Sequence, residues 1–178
     1  MFKLKSTKIG ILGGSFDPAH KGHLTISKIA LKKIKLKKIY WIVTKKNPFK
    51  DKTFFSLKDR IDKAKKISSK IKNIEVLYID DVIKSSKSIK VIQYILKKKK
   101  PKDLYFIVGS DILLKFHRWH SWKRIVKLTK LIVFSRKGYD RKSKKTIVVK
   151  YLNKNNITFI NNKPIEVSST LLRKRVKI

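Results

Sequence analysis

Two histidines, His20 and His23, lie three residues apart in the segment GGSFDPAHKGHL, residues 13–24. Near a helix start this spacing can bring both imidazoles to one side. Two ring N–H groups there could donate to the oxygens of one phosphate as charge builds on it. The surroundings suit an anion. Gly13, Gly14 and Gly22 are three of the chain's six glycines, and glycine lets a ligand come close to the backbone. Ser15 adds a hydroxyl donor, Phe16 is a further substrate-binding position, and Pro18 stiffens the turn. Asp17 is expected to brace the loop, because aspartate side chains bond nearby backbone N–H groups. The N–H groups at the start of the following helix would also favour a phosphate. One loop histidine is usually structural, whereas two of the chain's four in one glycine-rich loop point to a ligand. Zinc is disfavoured, since no third His or Cys lies close and a catalytic site needs three protein ligands. GGSFDP lacks the GxGxxG spacing and no GK[ST] closes it, which disfavours a hydride-transferring dinucleotide enzyme and a P-loop.

Two later segments could complete such a site. GSDILLKFHRWHSW, residues 109–122, places Gly109 and Asp111 just after an apolar run. Asp111 could accept from a ribose hydroxyl or orient a loop backbone. Trp119 and Trp122 offer flat surfaces for stacking. Core anchoring is the competing reading, and it is preferred for Trp122. Trp119 lies among His117, Arg118 and His120, which favours an exposed face. The third segment, IEVSSTLLR at 165–173, carries Ser168, Ser169, Thr170 and Arg173. Serines cap helices well, hydroxyls and free N–H groups suit triphosphate oxygens, and an arginine one turn along brings a planar fork to the same anion. An ordinary capped helix accounts for one serine and not for the whole set. Arg136, just past the run LIVF, is a further substrate-binding candidate.

These segments need a frame that brings them to one edge. Apolar runs at 8–12, 38–43, 74–79, 104–108, 131–134 and 157–160 read as strands. Between them, residues 23–34, 56–70 and 88–98 show helical spacing, with Ser56 a cap for the second and Ile89, Ile92, Ile95 and Leu96 inward on the third. Residues 143–153 form a weaker helix candidate, and a last helix starts near Ser168. Strands without strict alternation, each followed by a helix, predict an α/β fold: a Rossmann-like, open, mainly parallel sheet with helices on both faces. In such sheets ligands bind beyond the carboxyl ends of the strands, where strand order reverses. All three segments follow strands or open helices.

The composition bounds the rest. A chain of 178 residues, 42% hydrophobic, suffices for one domain, 1–178, burying roughly 70% of its unfolded surface. With no cysteine, disulfides and thiol nucleophiles are excluded. No apolar run nears the roughly 20 residues of a membrane helix, and no signal peptide is evident, so a cytoplasmic, soluble protein is expected. The formal net charge is +37, yet of 48 basic residues 41 are lysines spread over almost every segment. Base reading and bidentate phosphate binding favour arginine. The surplus therefore reads as a solvated surface with salt-sensitive, incidental affinity for nucleic acid and not as a specific nucleic-acid site.

GSFDPAHKGH resembles the signature of the HxGH-motif nucleotidyltransferases. From Lys8 to Arg173 the chain is similar, within them, to bacterial nicotinate-nucleotide adenylyltransferases. The resemblance implies that His20 and His23 contact ATP phosphates and stabilise a pentavalent phosphorus, with no covalent intermediate. Arg173 would join them as a catalytic residue. It puts Gly109 and Asp111 at adenine and ribose, and Trp119 on the nicotinate ring. VSSTLLR would hold the β- and γ-phosphates, with Val167 for the usual isoleucine. The partners implied are ATP, accompanied by Mg²⁺, and nicotinate mononucleotide. Two stretches depart from the pattern. The usual Pro-x-His-Lys is here KKNPFK, residues 45–50, where Phe49 replaces the histidine and Lys50 keeps the cation. The usual SYTxDT is SKSIKV, residues 86–91, keeping Ser86 and Ser88. Nicotinamide mononucleotide or another phosphorylated acceptor thus stays an alternative, and the oligomeric state is left open.

Overall fold

A computed structural model describes residues 7–45, 52–152, 154–162 and 169–176. Six strands, β1 (Lys8–Gly14), β2 (Lys38–Val43), β3 (Ile74–Leu77), β4 (Asp103–Gly109), β5 (Lys130–Phe134) and β6 (Ile157–Ile160), form one sheet in the order β3-β2-β1-β4-β5-β6. Every pairing is parallel. The order reverses between β1 and β4, where Ile11 lies opposite Phe106.

The period of two along each strand separates two cores. Leu12, Ile39, Trp41, Val43, Ile107 and Ile132 face helices α1 (Lys21–Ile34) and α2 (Leu57–Ser68), which bury Ile26, Ala30 and Ala64 against them. On the other face Ile11, Ile42, Phe106, Val108 and Val133 meet α4 (Ser88–Lys99), α5 (Ser110–Lys115) and α6 (Trp122–Leu128) through Ile89, Ile92, Ile95, Leu113 and Ile125. Leu96 is only half-buried. Ser56 caps α2 as expected, accepting from the Asp59 N–H.

Several expectations change. β1 runs through Gly13 and Gly14 instead of ending before them, because their backbones stay in register with Ile42 and Val43. The stretch 143–153 is not one helix. One short helix, α7 (Asp140–Ser143), ends where it begins, and a second, α8 (Ile147–Tyr151), capped by Thr146, covers only five of its residues. β3 ends at Leu77, and the short helix α3 (Asp80–Ile83) follows. The last helix, α9, spans Ser169–Val176.

Each crossover helix runs antiparallel to the strands, so its carboxyl end lies at their amino edge. The last turns there hold Lys32 and Lys33, Lys65 and Lys66, Lys97 to Lys99, and Lys127. Acids occupy first turns at the opposite edge: Asp59, Asp80, Asp81 and Asp111. Both placements suit the helix dipole.

Candidate active site

The loop after β1 and the start of α1 are organised by the two histidines themselves. The Gly22 N–H donates to His20 Nδ1 at 3.1 Å, and the His20 N–H donates to His23 Nδ1 at 3.2 Å. The His23 N–H is taken by the His20 carbonyl at 2.9 Å. The first turn therefore offers fewer N–H groups to a phosphate than the sequence suggested, because the imidazoles cap it. In exchange, both tautomers are fixed: an Nδ1 that accepts leaves the proton on Nε2. The rings lie 3.9 Å apart. Burial, aided by the nearby Arg136 charge, lowers the His20 pKa to about 4. At neutral pH His20 is thus an uncharged Nε2–H donor.

An aromatic floor holds this pair. Phe16, 2% exposed with φ 47°, stacks on Trp41 and lies 4.8 Å from the His23 ring. Trp41 in turn donates to Ser27 Oγ at 2.9 Å. The Phe16 side chain serves packing, so a ligand could meet only its backbone. Ser15 is buried. Asp17 braces the loop over a longer range than expected. Its carboxylate accepts from the Phe54 and Phe55 N–H groups at 2.8 and 2.9 Å, not from its immediate neighbours.

The closing helix reaches this loop. Ser169 Oγ donates to the Pro18 carbonyl at 3.0 Å, and Arg173 Nη1 donates to the Asp17 carbonyl at 2.7 Å, with the Asp17 carboxylate 3.7 Å away. Arg173 Nη2 donates to Thr170 Oγ1. Ser169, Thr170 and Arg173 thus stand together beside the histidine loop. Ser168 and Lys50 lie outside the described residues.

Across the reversal point, Gly109 closes β4. A Cβ on it would come within 2.3 Å of Asp111 Oδ1, so a larger residue there would push the Asp111 carboxylate aside. Asp111 faces Arg136 at 3.9 Å, and the Arg136 N–H donates to Ser110 Oγ and Asp140 Oδ1. Arg136 links this side to His20 through its charge. Trp119 is half-buried, one face stacked on Phe116 at 4.9 Å and 17°. Trp122 is half-buried as well, with its ring edge-on to Tyr151. Ser88 opens α4 and is half-buried. Near it, Lys45, Asp80, Asp81, Lys84, Ser85 and Ser86 line a cavity of about 300 Å³.

Two buried groups here were not singled out from sequence: Arg60, which reaches the Ser15 and Thr44 carbonyls, and Asp80, which holds Thr44 and Lys45. Arg60 had one sequence signal. It is the only arginine before Arg118 in a chain that otherwise uses lysine.

The profile of the Cytidylyltransferase-like family matches residues 11–175. A protein of Pelagibacter ubique named "probable nicotinate-nucleotide adenylyltransferase" is 51% identical over 170 residues, which cover 96% of this chain and 94% of that protein. One of the same name from Endomicrobium trichonymphae is 33% identical, with 96% and 86% covered. The solved nicotinic acid mononucleotide adenylyltransferase of Plasmodium falciparum superposes with a TM-score of 0.73 at 17% identity, covering 94% of this chain and 83% of that one, a likeness of fold.

Proposed function

This chain belongs to the Cytidylyltransferase-like family, among its nicotinate-nucleotide adenylyltransferases, and on that premise we propose that His20 and His23 stabilise the transfer of the adenylyl group of ATP to nicotinate mononucleotide. The products are nicotinate adenine dinucleotide and pyrophosphate, a step of NAD biosynthesis. The 5′-phosphate oxygen of the mononucleotide forms a bond to the α-phosphorus in line, while the bond from that phosphorus to the bridging oxygen of pyrophosphate breaks. The attacking phosphate is already ionised, so no general base is required. Catalysis is positioning plus stabilisation of spreading charge.

The observation that carries this reading is the histidine pair: two rings 3.9 Å apart at the point of strand reversal, each with Nδ1 engaged and Nε2 left as the N–H. Donors of fixed tautomer suit an oxyanion that gains charge, because they need not reorient as it develops, and His20 is also held neutral. Arg173, with Ser168, Ser169 and Thr170, takes the triphosphate. Gly13, Gly14, Ser15 and the Phe16 backbone border the α-phosphate. Gly109, Asp111 and Arg136 take the adenosine side, and Trp119 the pyridine ring. Ser88 and Lys50 contribute on the acceptor side, where Lys45 and Lys84 bring cations to the cavity. Mg²⁺ would arrive with ATP, held largely by its phosphates and water, and would help to spread the charge of the triphosphate. Among the described residues no group of three His, Asp or Glu gathers that could cage it. Such an enzyme works in the cytoplasm as one domain spanning 1–178. Among the described residues no helix is long and apolar enough to cross a membrane.

A substrate panel tests this reading. ATP and CTP are each paired with nicotinate mononucleotide, nicotinamide mononucleotide and phosphopantetheine, and pyrophosphate release is followed. ATP with nicotinate mononucleotide should be fastest. A faster rate with nicotinamide mononucleotide would move the assignment to the amide, the outcome that the altered SKSIKV stretch leaves room for. Turnover with CTP alone would overturn it.

A further inference from the structure

Among the described charged side chains Arg60 is the most buried, with 1% of its surface exposed. It projects from the first turn of α2 into the junction of the loops after β1 and β2. Nη1 donates to the Ser15 and Thr44 carbonyls, each at 2.7 Å, and Nη2 to the Lys45 carbonyl at 3.5 Å. Burial lowers its pKa, while the carboxylates of Asp17 and Asp80 favour its charge. Those two acids act on the same loops. Asp17 holds the histidine loop to residues 54 and 55. Asp80 Oδ2 accepts from Thr44 Oγ1 at 3.0 Å and the Lys45 N–H at 2.8 Å. The Thr44 N–H also donates to the Gly14 carbonyl at 3.0 Å.

Three convergent carbonyl oxygens repel one another unless a cation lies between them. A guanidinium supplies several donors in one rigid plane, and lysine supplies a point charge. Stability alone is a weak reason for such a group, since replacing buried ionic groups with apolar ones is often neutral or stabilising. The residues gripped suggest another reason. Ser15 belongs to the loop that carries His20 and His23. Thr44 and Lys45 lead from β2 to the cavity lined by Lys45 and Asp80. In-line transfer is sensitive to the separation of these two parts, because a 1 Å misplacement can lower the rate about 10²-fold.

We infer that Arg60 is a positioning residue for adenylyl transfer, one that sets the spacing between the histidine loop and the loop bordering the acceptor-side cavity. The inference rests on the proposed function and adds a residue that never touches the substrates. Its signature is a loss of turnover without a matching loss of binding.

The test is Arg60→Lys, assayed with ATP and nicotinate mononucleotide at a temperature where circular dichroism shows the variant folded. Turnover per folded molecule should fall about 10²-fold, while the KM for each substrate stays within about threefold of wild type. Turnover within about threefold of wild type would overturn the inference. So would losses that merely track the unfolded fraction. If the lysine variant does not fold, Arg60→Gln is read in the same way, since it keeps donors and buries no charge. If neither folds, Arg60 is a requirement of folding and the inference fails. Wild-type protein inert with these substrates would instead overturn the proposed function, and Arg60 would then be read on the acceptor that the panel identifies.

Discussion

The loops after β1 and β4 face each other where the strand order reverses, and they are built in opposite ways. The β1 loop is locked by polar side chains. His20 and His23 cap the first turn of α1, Asp17 grips two N–H groups after β2, and Arg60 and Arg173 each bind a loop carbonyl. The segment after β4 is held by rings, with Trp119 on Phe116 and Trp122 against Tyr151, while His117, Arg118 and His120 are exposed. The difference follows from what each must meet. A phosphorus centre gaining charge needs dipoles fixed before the reaction. A flat pyridine ring needs a surface and tolerates sliding on it. Substitutions in the first loop should therefore act on turnover, and those in the second on affinity.

The sharpest probe of the first loop is His23→Ala. Turnover should fall by roughly 10² or more, the scale of a lost oxyanion donor, with a much smaller change in ATP dissociation constant. Steady-state kinetics beside ATP titration would show it, and a variant turning over like wild type would erase the contrast. The second region gives the next effect. Trp119→Ala should raise the acceptor KM about 5- to 150-fold, because base stacking on an aromatic is worth roughly 1–3 kcal/mol. The KM for ATP should barely move, and Trp119→Phe should recover part of the loss. The Phe116 contact also predicts a lower urea midpoint. A destabilised variant with an unchanged acceptor KM would make this tryptophan a packing residue only.

Arg173→Lys should weaken ATP binding about tenfold, the scale of one charge-assisted hydrogen bond. The lysine keeps the charge and loses the fork that spans the Asp17 carbonyl and Thr170. Equal dissociation constants would reduce Arg173 to a structural tie. The most gradual effect is on stability against pH. His20 titrates at about 4 in the folded protein against an ordinary value near 6.5, so the unfolded chain binds the extra proton first. Its contribution is complete above about pH 6.5 and shrinks as pH falls towards 4, by at most roughly 3 kcal/mol. His20→Asn should flatten that part of the urea-midpoint curve. A wild-type midpoint no more pH-dependent than the variant's would mean that His20 is not held neutral.

Much of this frame could be read before any coordinates, for a physical reason. Buried parallel strands are apolar on both faces, so KIYWIV stands out, and the edge strand ITFI by its β-branched and aromatic residues; they match β2 and β6 to the residue. The helix at 88–98 showed its inner face because three isoleucines repeat at helical spacing. Helices of four to seven residues, such as α3, α5 and α6, are too short to show a period. In the site, the histidine pair announced itself through composition and spacing. Its mutual capping did not, since which ring nitrogen accepts is a matter of geometry. Arg60 lies among charged residues in SLKDRIDKA, and its rarity as an arginine does not say that it is buried. Only the fold brings residues 15, 44 and 45 around it.

At the helix ends, lysines lie at one edge of the sheet and acids at the other, which biases the molecule's charge along its strands. Adsorbed on an anionic bead or matrix at low salt, it would settle on the edge that carries Lys32, Lys33, Lys65, Lys66, Lys97 to Lys99 and Lys127. That posture turns the histidine loop outward, towards the liquid. A cation-exchange support would then hold the protein in one orientation with its mouth uncovered, whereas coupling through randomly chosen amines would impose no such order.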